Sequence, residues 1–101
     1  MRYVIDLDGT LCTAEYPDYT KAEPYTERIK FVNDLVDDGH YAIIDTARGN
    51  GSGEDWLART AKQLDEWGLR FSELRVGHKP WADVYVDDRG VSPVSFFPPN
   101  I

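Results

Sequence analysis

The chain has 101 residues, 42% of them hydrophobic and 29% charged, with a formal net charge of −7. That length holds one domain, and the balance of apolar to charged residues excludes a disordered chain. The acidic excess disfavours broad contact with a nucleic-acid backbone, and no apolar run approaches the ~20 residues that span a membrane.

Val4, Ile5 and Leu7 predict a short buried strand over residues 2–7, closed by Asp6 and Asp8, with Gly9-Thr10 supplying a turn. Residues 8–23 are polar and irregular. Pro24 suits a first helical position, and Tyr25, Ile29, Val32 and Leu35 follow at helical spacing until Gly39. Tyr41 to Ile44 predict a second buried strand ending at Asp45-Thr46. A glycine-rich loop follows, and Ser52 with Asp55 can cap a second helix carrying Leu57, Ala61, Leu64 and Trp67, stopped by Gly68. Leu74-Arg75-Val76 reads as a third strand, and Val84-Tyr85-Val86 as a fourth that ends at Asp87-Asp88. Residues 90–101, with Pro93, Pro98 and Pro99, read as an extended tail without helix. The whole of 1–101 reads as one domain. Its single cysteine, Cys12, fits a reducing compartment, and with no basic, apolar leader at the start the expected location is the cytoplasm.

Strands alternating with helices imply a parallel sheet with right-handed crossovers. Such a sheet gathers the carboxyl ends of its strands on one edge, where ligands bind in open α/β folds. Asp6, Asp8, Thr46, Asp87 and Asp88 all fall at strand ends. Acids on a core strand cost stability unless something binds them. A strand-end carboxylate can attack phosphorus and form an aspartyl-phosphate. A second acid two residues on can protonate the leaving oxygen and then deprotonate water. The Thr46 hydroxyl and nearby backbone N–H groups, Ala47 included, can hold the transferring group, and Lys79 can offset its charge. Paired acids such as Asp87-Asp88 bind a hard cation, and Mg²⁺ suits carboxylates, carbonyls and phosphate. Four acids that converge need such a cation.

The ordered set Asp6-Leu7-Asp8-Gly9-Thr10, Thr46, Lys79 and Asp87-Asp88 resembles the haloacid dehalogenase (HAD) superfamily of phosphohydrolases, over residues 3 to about 90. Within it, Asp6 to Cys12, Thr46-Ala47-Arg48, Lys79-Pro80-Trp81 and Tyr85 to Asp88 look like the small capsule-biosynthesis phosphatases. The resemblance implies a three-layer α/β/α sandwich with strand order 3-2-1-4 and no cap domain. It implies Asp6 as nucleophile, Asp8 as general acid and base, Thr46 on the phosphate and Lys79 stabilising charge; Ala47 and Arg48, beside Thr46, are further candidates at the substrate. Mg²⁺ would be held by Asp6, Asp87 and Asp88, with the backbone carbonyl of Asp8. The connections are too short for a cap, so the site is expected to be open, screened by a flap over 12–23 or by a second copy of the chain.

The expected substrate is a phosphorylated small molecule such as a sugar phosphate, or a larger glycan or nucleotide conjugate. Two other classes of function remain. A nucleic-acid or nucleotide end phosphatase is opposed by the acidic balance, and no membrane partner is expected. A non-catalytic binding domain on the same fold is opposed by the intact motif positions. Taken singly, Thr46 would be a strand-end hydroxyl, Lys79 a surface lysine, Asp87-Asp88 a solvated turn and Arg48 a surface ion pair. Cys12 reads as a small buried hydrophobe, His40 and His78 as surface residues, and Trp56, Trp67 and Trp81 as packing.

Overall fold

The computed structural model describes residues 1–49, 55–80 and 82–101. Three strands, β1 (Arg2–Asp6), β2 (Tyr41–Thr46) and β3 (Glu73–Val76), form a parallel sheet in the order β1-β2-β3. Arg2 lies opposite Tyr41 and Asp6 opposite Asp45, while Thr46 lies opposite Val76. The carboxyl ends of the strands therefore sit together on one edge.

Helix α1 (Thr26–Asp37) joins β1 to β2, and α2 (Leu57–Glu66) joins β2 to β3. Both crossovers step in the same direction along the sheet, so right-handed connections place both helices on one face. Ile29 and Val32 of α1 and Leu64 of α2 share a single core with Ile5, Ala42 and Ile44. The opposite face, carrying Val4, Tyr41 and Asp45, has no helix among the described residues, and Val4 is 63% exposed. Among the described residues the α/β class is present as a parallel sheet with α1 and α2 on one face.

The start of α1 explains one more difference. Pro24 is not the first helical residue. It forms an extended bridge with Cys12, and the Tyr25 N–H donates to the Leu11 carbonyl at 2.9 Å, which keeps the chain extended until α1 begins at Thr26. At the other end Gly39 takes φ +93°, a conformation that lets the chain leave the helix. Ahead of α2, the Asp55 carboxylate accepts from the Leu57 N–H at 3.0 Å. Ser52, its expected capping partner, lies outside the described residues, as does Trp81. The buried side of α2 is Thr60 and Leu64, and Leu57 is exposed.

The proline-bearing tail does contain a helical turn, α3 (Pro93–Phe96). Proline is tolerated there because it occupies the first helical turn, where its missing N–H is not needed, and the Ser92 hydroxyl caps the Ser95 N–H. Phe96 and Phe97 pack edge-on against Phe31, and Phe96 also meets Tyr3, so the tail closes one end of the core.

No fourth strand forms among the described residues. Residues 84–86 are unpaired, and Val86 is 96% exposed. The order 3-2-1-4 is therefore present only as its first three members, and among the described residues one edge of β1 has no strand partner. No described helix is long and apolar enough to cross a membrane.

Candidate active site

The acidic pair is placed by a tight loop after β1. Leu7 turns its side chain fully into the core, and its carbonyl accepts from the N–H groups of Thr10 at 3.1 Å and Leu11 at 2.8 Å. Gly9 adopts φ +85° to close this turn, which a β-carbon would strain. Arg28 of α1 fixes the loop from outside, its Nη1 donating to the Thr10 carbonyl at 3.0 Å. Asp6 and Asp8 thus leave a rigid scaffold in fixed directions.

Asp6 carries two partners. Lys79 Nζ donates to Oδ1 at 3.1 Å, and Thr10 Oγ1 donates to Oδ2 at 3.1 Å. The carboxylate remains 40% exposed, so it is charge-matched and still open to a small anion. Lys79 also lies over the Tyr85 ring, 5.2 Å from its centroid, and the Tyr85 hydroxyl donates to the Pro80 carbonyl.

Asp8 is held far more tightly. Arg48 Nη2 donates to Oδ1 at 2.8 Å and Nε to Oδ2 at 2.9 Å, a side-on pair with only 1% of the arginine side chain exposed. Thr46 Oγ1 donates to Oδ2 at 3.3 Å. Cys12 Sγ lies 3.5 Å from Oδ1. Burial in this network is the main reason the Cys12 thiol is pushed up to about 12, with the Asp8 charge adding to it.

The structure therefore brings Asp6, Asp8, Thr46, Arg48 and Lys79 to one edge of the sheet. It gives two of them surroundings that differ from the sequence expectation. Arg48, expected at the substrate or in a surface ion pair, is buried and pinned on Asp8. Thr46 is also buried, and its hydroxyl both donates to Asp8 and accepts from the Arg48 N–H at 3.3 Å. Ala47 lies between them on the same turn, half-buried. Asp87 and Asp88 are exposed, and the Asp87 carboxylate is occupied by the Arg89 N–H at 2.8 Å. Among the described residues, no group of three or more His, Cys, Asp or Glu side chains converges to hold a metal ion. The reason is local: the segment ahead of Asp87 is not paired to β1, so the sheet does not draw these acids to its edge.

Sequence reading missed Gln63 and Tyr19. Gln63 Oε1 accepts from Arg48 Nη1 at 2.7 Å, and its Nε2 donates to the Tyr19 carbonyl at 3.0 Å. The Tyr19 ring covers the guanidinium, 4.9 Å from its centroid. A signal was present in α2, where the polar residues Thr60 and Gln63 flank Leu64 on the inward face. Inward polar side chains require inward partners. Asp45, beside Thr46, keeps one buried carboxylate oxygen without a partner among the described residues.

The chain is similar to a structural-genomics target from Vibrio cholerae known from its crystal structure. The two are 32% identical, with 91% of this chain and 83% of that one covered and a TM-score of 0.78. No protein-family model and no curated protein matches the chain.

Proposed function

The chain belongs to one family with the Vibrio cholerae protein, and we propose that it is a phosphomonoester hydrolase of the HAD type, working through an aspartyl-phosphate. The observation that carries this reading is the pair of acids at the end of β1, each with a different partner. Asp6 is exposed beside a lysine ammonium, as a nucleophile toward phosphate needs to be. Asp8 is fixed in direction by Arg48 and keeps a small exposed surface through which a proton could pass.

In the first step an Asp6 oxygen bonds to phosphorus while the bond from phosphorus to the leaving oxygen breaks. Asp8 gives that oxygen its proton. In the second step Asp8 takes a proton from water, whose oxygen attacks phosphorus, and the acyl-phosphate bond opens to return Asp6 and release inorganic phosphate. Lys79 offsets the negative charge that gathers on Asp6 and the phosphoryl oxygens. The Ala47 backbone N–H, next to Thr46, is the candidate for holding those oxygens.

Mg²⁺ fits the donor chemistry, because Asp6, the Asp8 carbonyl, Asp87 and Asp88 offer only hard oxygen ligands. When bound, it would neutralise the transferring phosphoryl group. Asp87 and Asp88 reach that place if residues 84–86 add to the unpaired edge of β1 as a fourth parallel strand, giving the order 3-2-1-4. The proposed substrate is a small phosphometabolite such as a sugar phosphate, and the proposed setting is the cytoplasm.

The direct test is release of inorganic phosphate from p-nitrophenyl phosphate and from a panel of sugar phosphates, nucleotides and 3′-phosphorylated oligonucleotides, with Mg²⁺ and with chelator. Turnover that needs Mg²⁺ and is best on a small phosphate ester is expected. Preference for the oligonucleotides would move the assignment to end processing, and a folded protein inert on every substrate would overturn the enzymatic reading.

A further inference from the structure

Arg48 is the most completely committed polar side chain among the described residues. It offers only donors, five of them, and they meet Asp8, Gln63, Thr60 and the Cys12 sulfur. A cation buried this deeply is costly unless its geometry is held. Gln63 supplies the hold from α2. Because arginine cannot accept, the Gln63 amide must present its oxygen to Arg48, which leaves its NH₂ to donate outward. The acceptor it finds is the Tyr19 carbonyl, in the 3-10 turn of Tyr19–Lys21. The Tyr19 ring then closes over the same guanidinium. One side chain of α2 thus ties the middle of the 12–23 segment to the arginine that aims Asp8.

We propose that Gln63 is a positioning residue for Asp8, acting through Arg48, and that it couples the direction of the Asp8 carboxylate to the seating of the 12–23 segment. This rests on Asp8 being the proton-transfer group of the proposed hydrolase. Gln63 touches neither substrate nor reacting atoms. Its contribution is angular: with Oε1 gone, Nη1 loses its shortest bond, and the guanidinium can pivot about Asp8. Misdirection of a proton donor hurts a poor leaving group and spares a good one. An alkoxide needs the proton, and a nitrophenolate hardly does.

The test compares Gln63→Leu, Gln63→Glu and Arg48→Lys with the unaltered protein on p-nitrophenyl phosphate and on an alkyl phosphate such as glycerol phosphate. Gln63→Leu should lower the alkyl-to-aryl ratio of kcat about tenfold, a fraction of the 10²–10⁴ that proton transfer supplies. Arg48→Lys should lower it further, since an ammonium cannot reproduce the side-on pair. Gln63→Glu keeps an acceptor for Arg48 and loses the donor to Tyr19, so it should lower the ratio less than Gln63→Leu does while raising KM for both substrates. A folded Gln63→Leu protein with an unchanged ratio overturns the relay, and equal loss on both substrates reduces Gln63 to a structural role. An unaltered protein inert on both substrates refutes the hydrolase instead. The relay is then decided by NMR of the Arg48 Nε–H, which should exchange slowly with water and faster in Gln63→Leu and in Asp8→Asn. Equal exchange in all three would refute it.

Discussion

Arg48 and Asp8 form a side-on ion pair in which the arginine side chain is 1% exposed and the aspartate 16% exposed. Two oxygens meet two nitrogens, and the arginine has almost no water to fall back on. Breaking such a pair from one side is costly because the remaining charge stays buried, typically by about 3–5 kcal/mol. Arg48→Met should therefore lower stability by about that much, a large share of the 5–15 kcal/mol a domain usually has. Adding Asp8→Leu should return part of the loss, because no unpaired charge is then left. Urea denaturation of the two single variants and the double variant measures the coupling. Losses that simply add would show that the pair is not the source.

Asp6 sits in a different energetic regime. Its pair with Lys79 is partly exposed, 40% for the acid and 22% for the lysine. Exposed and half-exposed pairs contribute about 0–1 kcal/mol. Asp6→Asn should leave the melting curve nearly unchanged, since the amide is close in shape and still accepts from Thr10. Turnover should fall by about 10⁴-fold or more, the scale seen when a covalent nucleophile is removed. Phosphate release by a folded Asp6→Asn protein at the original rate would take Asp6 out of that role.

The parts legible in the sequence were those set by local pattern. Val4, Ile5 and Leu7 marked β1, the run Tyr41 to Thr46 marked β2, and the spacing of Ile29 and Val32 marked α1 with its stop at Gly39. Parallel order then put Asp6, Asp8 and Thr46 on one edge. What escaped depended on long-range partners. Nothing local says that Arg48 turns inward, because an arginine after a strand usually faces water. Its burial follows from Asp8, Thr60, Gln63 and Tyr19 arriving from three other segments. The tail helix escaped for another reason: three prolines in the segment predict no helix, yet Pro93 falls at the one turn that tolerates it. Residues 84–86 have a strand's composition without a strand's pairing, and composition alone cannot supply the neighbour.

Cys12 gives a pH prediction with a definite sign. Its thiol is buried, and that burial with the nearby Asp8 charge pushes it up to about 12 from an ordinary 9.0. Between those values the unfolded chain releases the proton and the folded chain retains it. Folding then binds more protons than unfolding, so stability falls as pH rises. The contribution is complete below pH 9 and is lost progressively toward pH 12. Cys12→Ala should flatten that part of the stability curve, measured by urea unfolding from pH 8 to the highest pH at which the fold survives. The same burial predicts that iodoacetamide labels Cys12 slowly at pH 8 in the folded protein and rapidly in urea. Fast labelling without denaturant would contradict the placement of the thiol.

The last prediction concerns the unpaired edge of β1. That edge lies beside an exposed face residue, Val4, while Val84, Tyr85 and Val86 are also exposed. Exposed apolar side chains and unpaired strand backbone each leave a favourable interaction unmade. Charge opposes their union in the free protein. Pairing 84–86 along β1 brings Asp87 and Asp88 toward Asp6, three like charges in a small volume. A divalent cation reverses the sign of that interaction. Mg²⁺ should therefore raise the melting temperature. A ligand at a hundred times its Kd adds about 2.7 kcal/mol if the unfolded chain does not bind it. Two features separate this from general salt stabilisation. Amide hydrogens of residues 84–86 and of the outer edge of β1 should gain protection together when Mg²⁺ is added. Asp87→Asn should weaken both effects, whereas Asp34→Asn, on the exposed side of α1, should leave them intact. Melting curves that coincide in millimolar Mg²⁺ and in chelator, with no new protection along β1, would mean that the acids after residue 86 serve neither the metal nor the sheet.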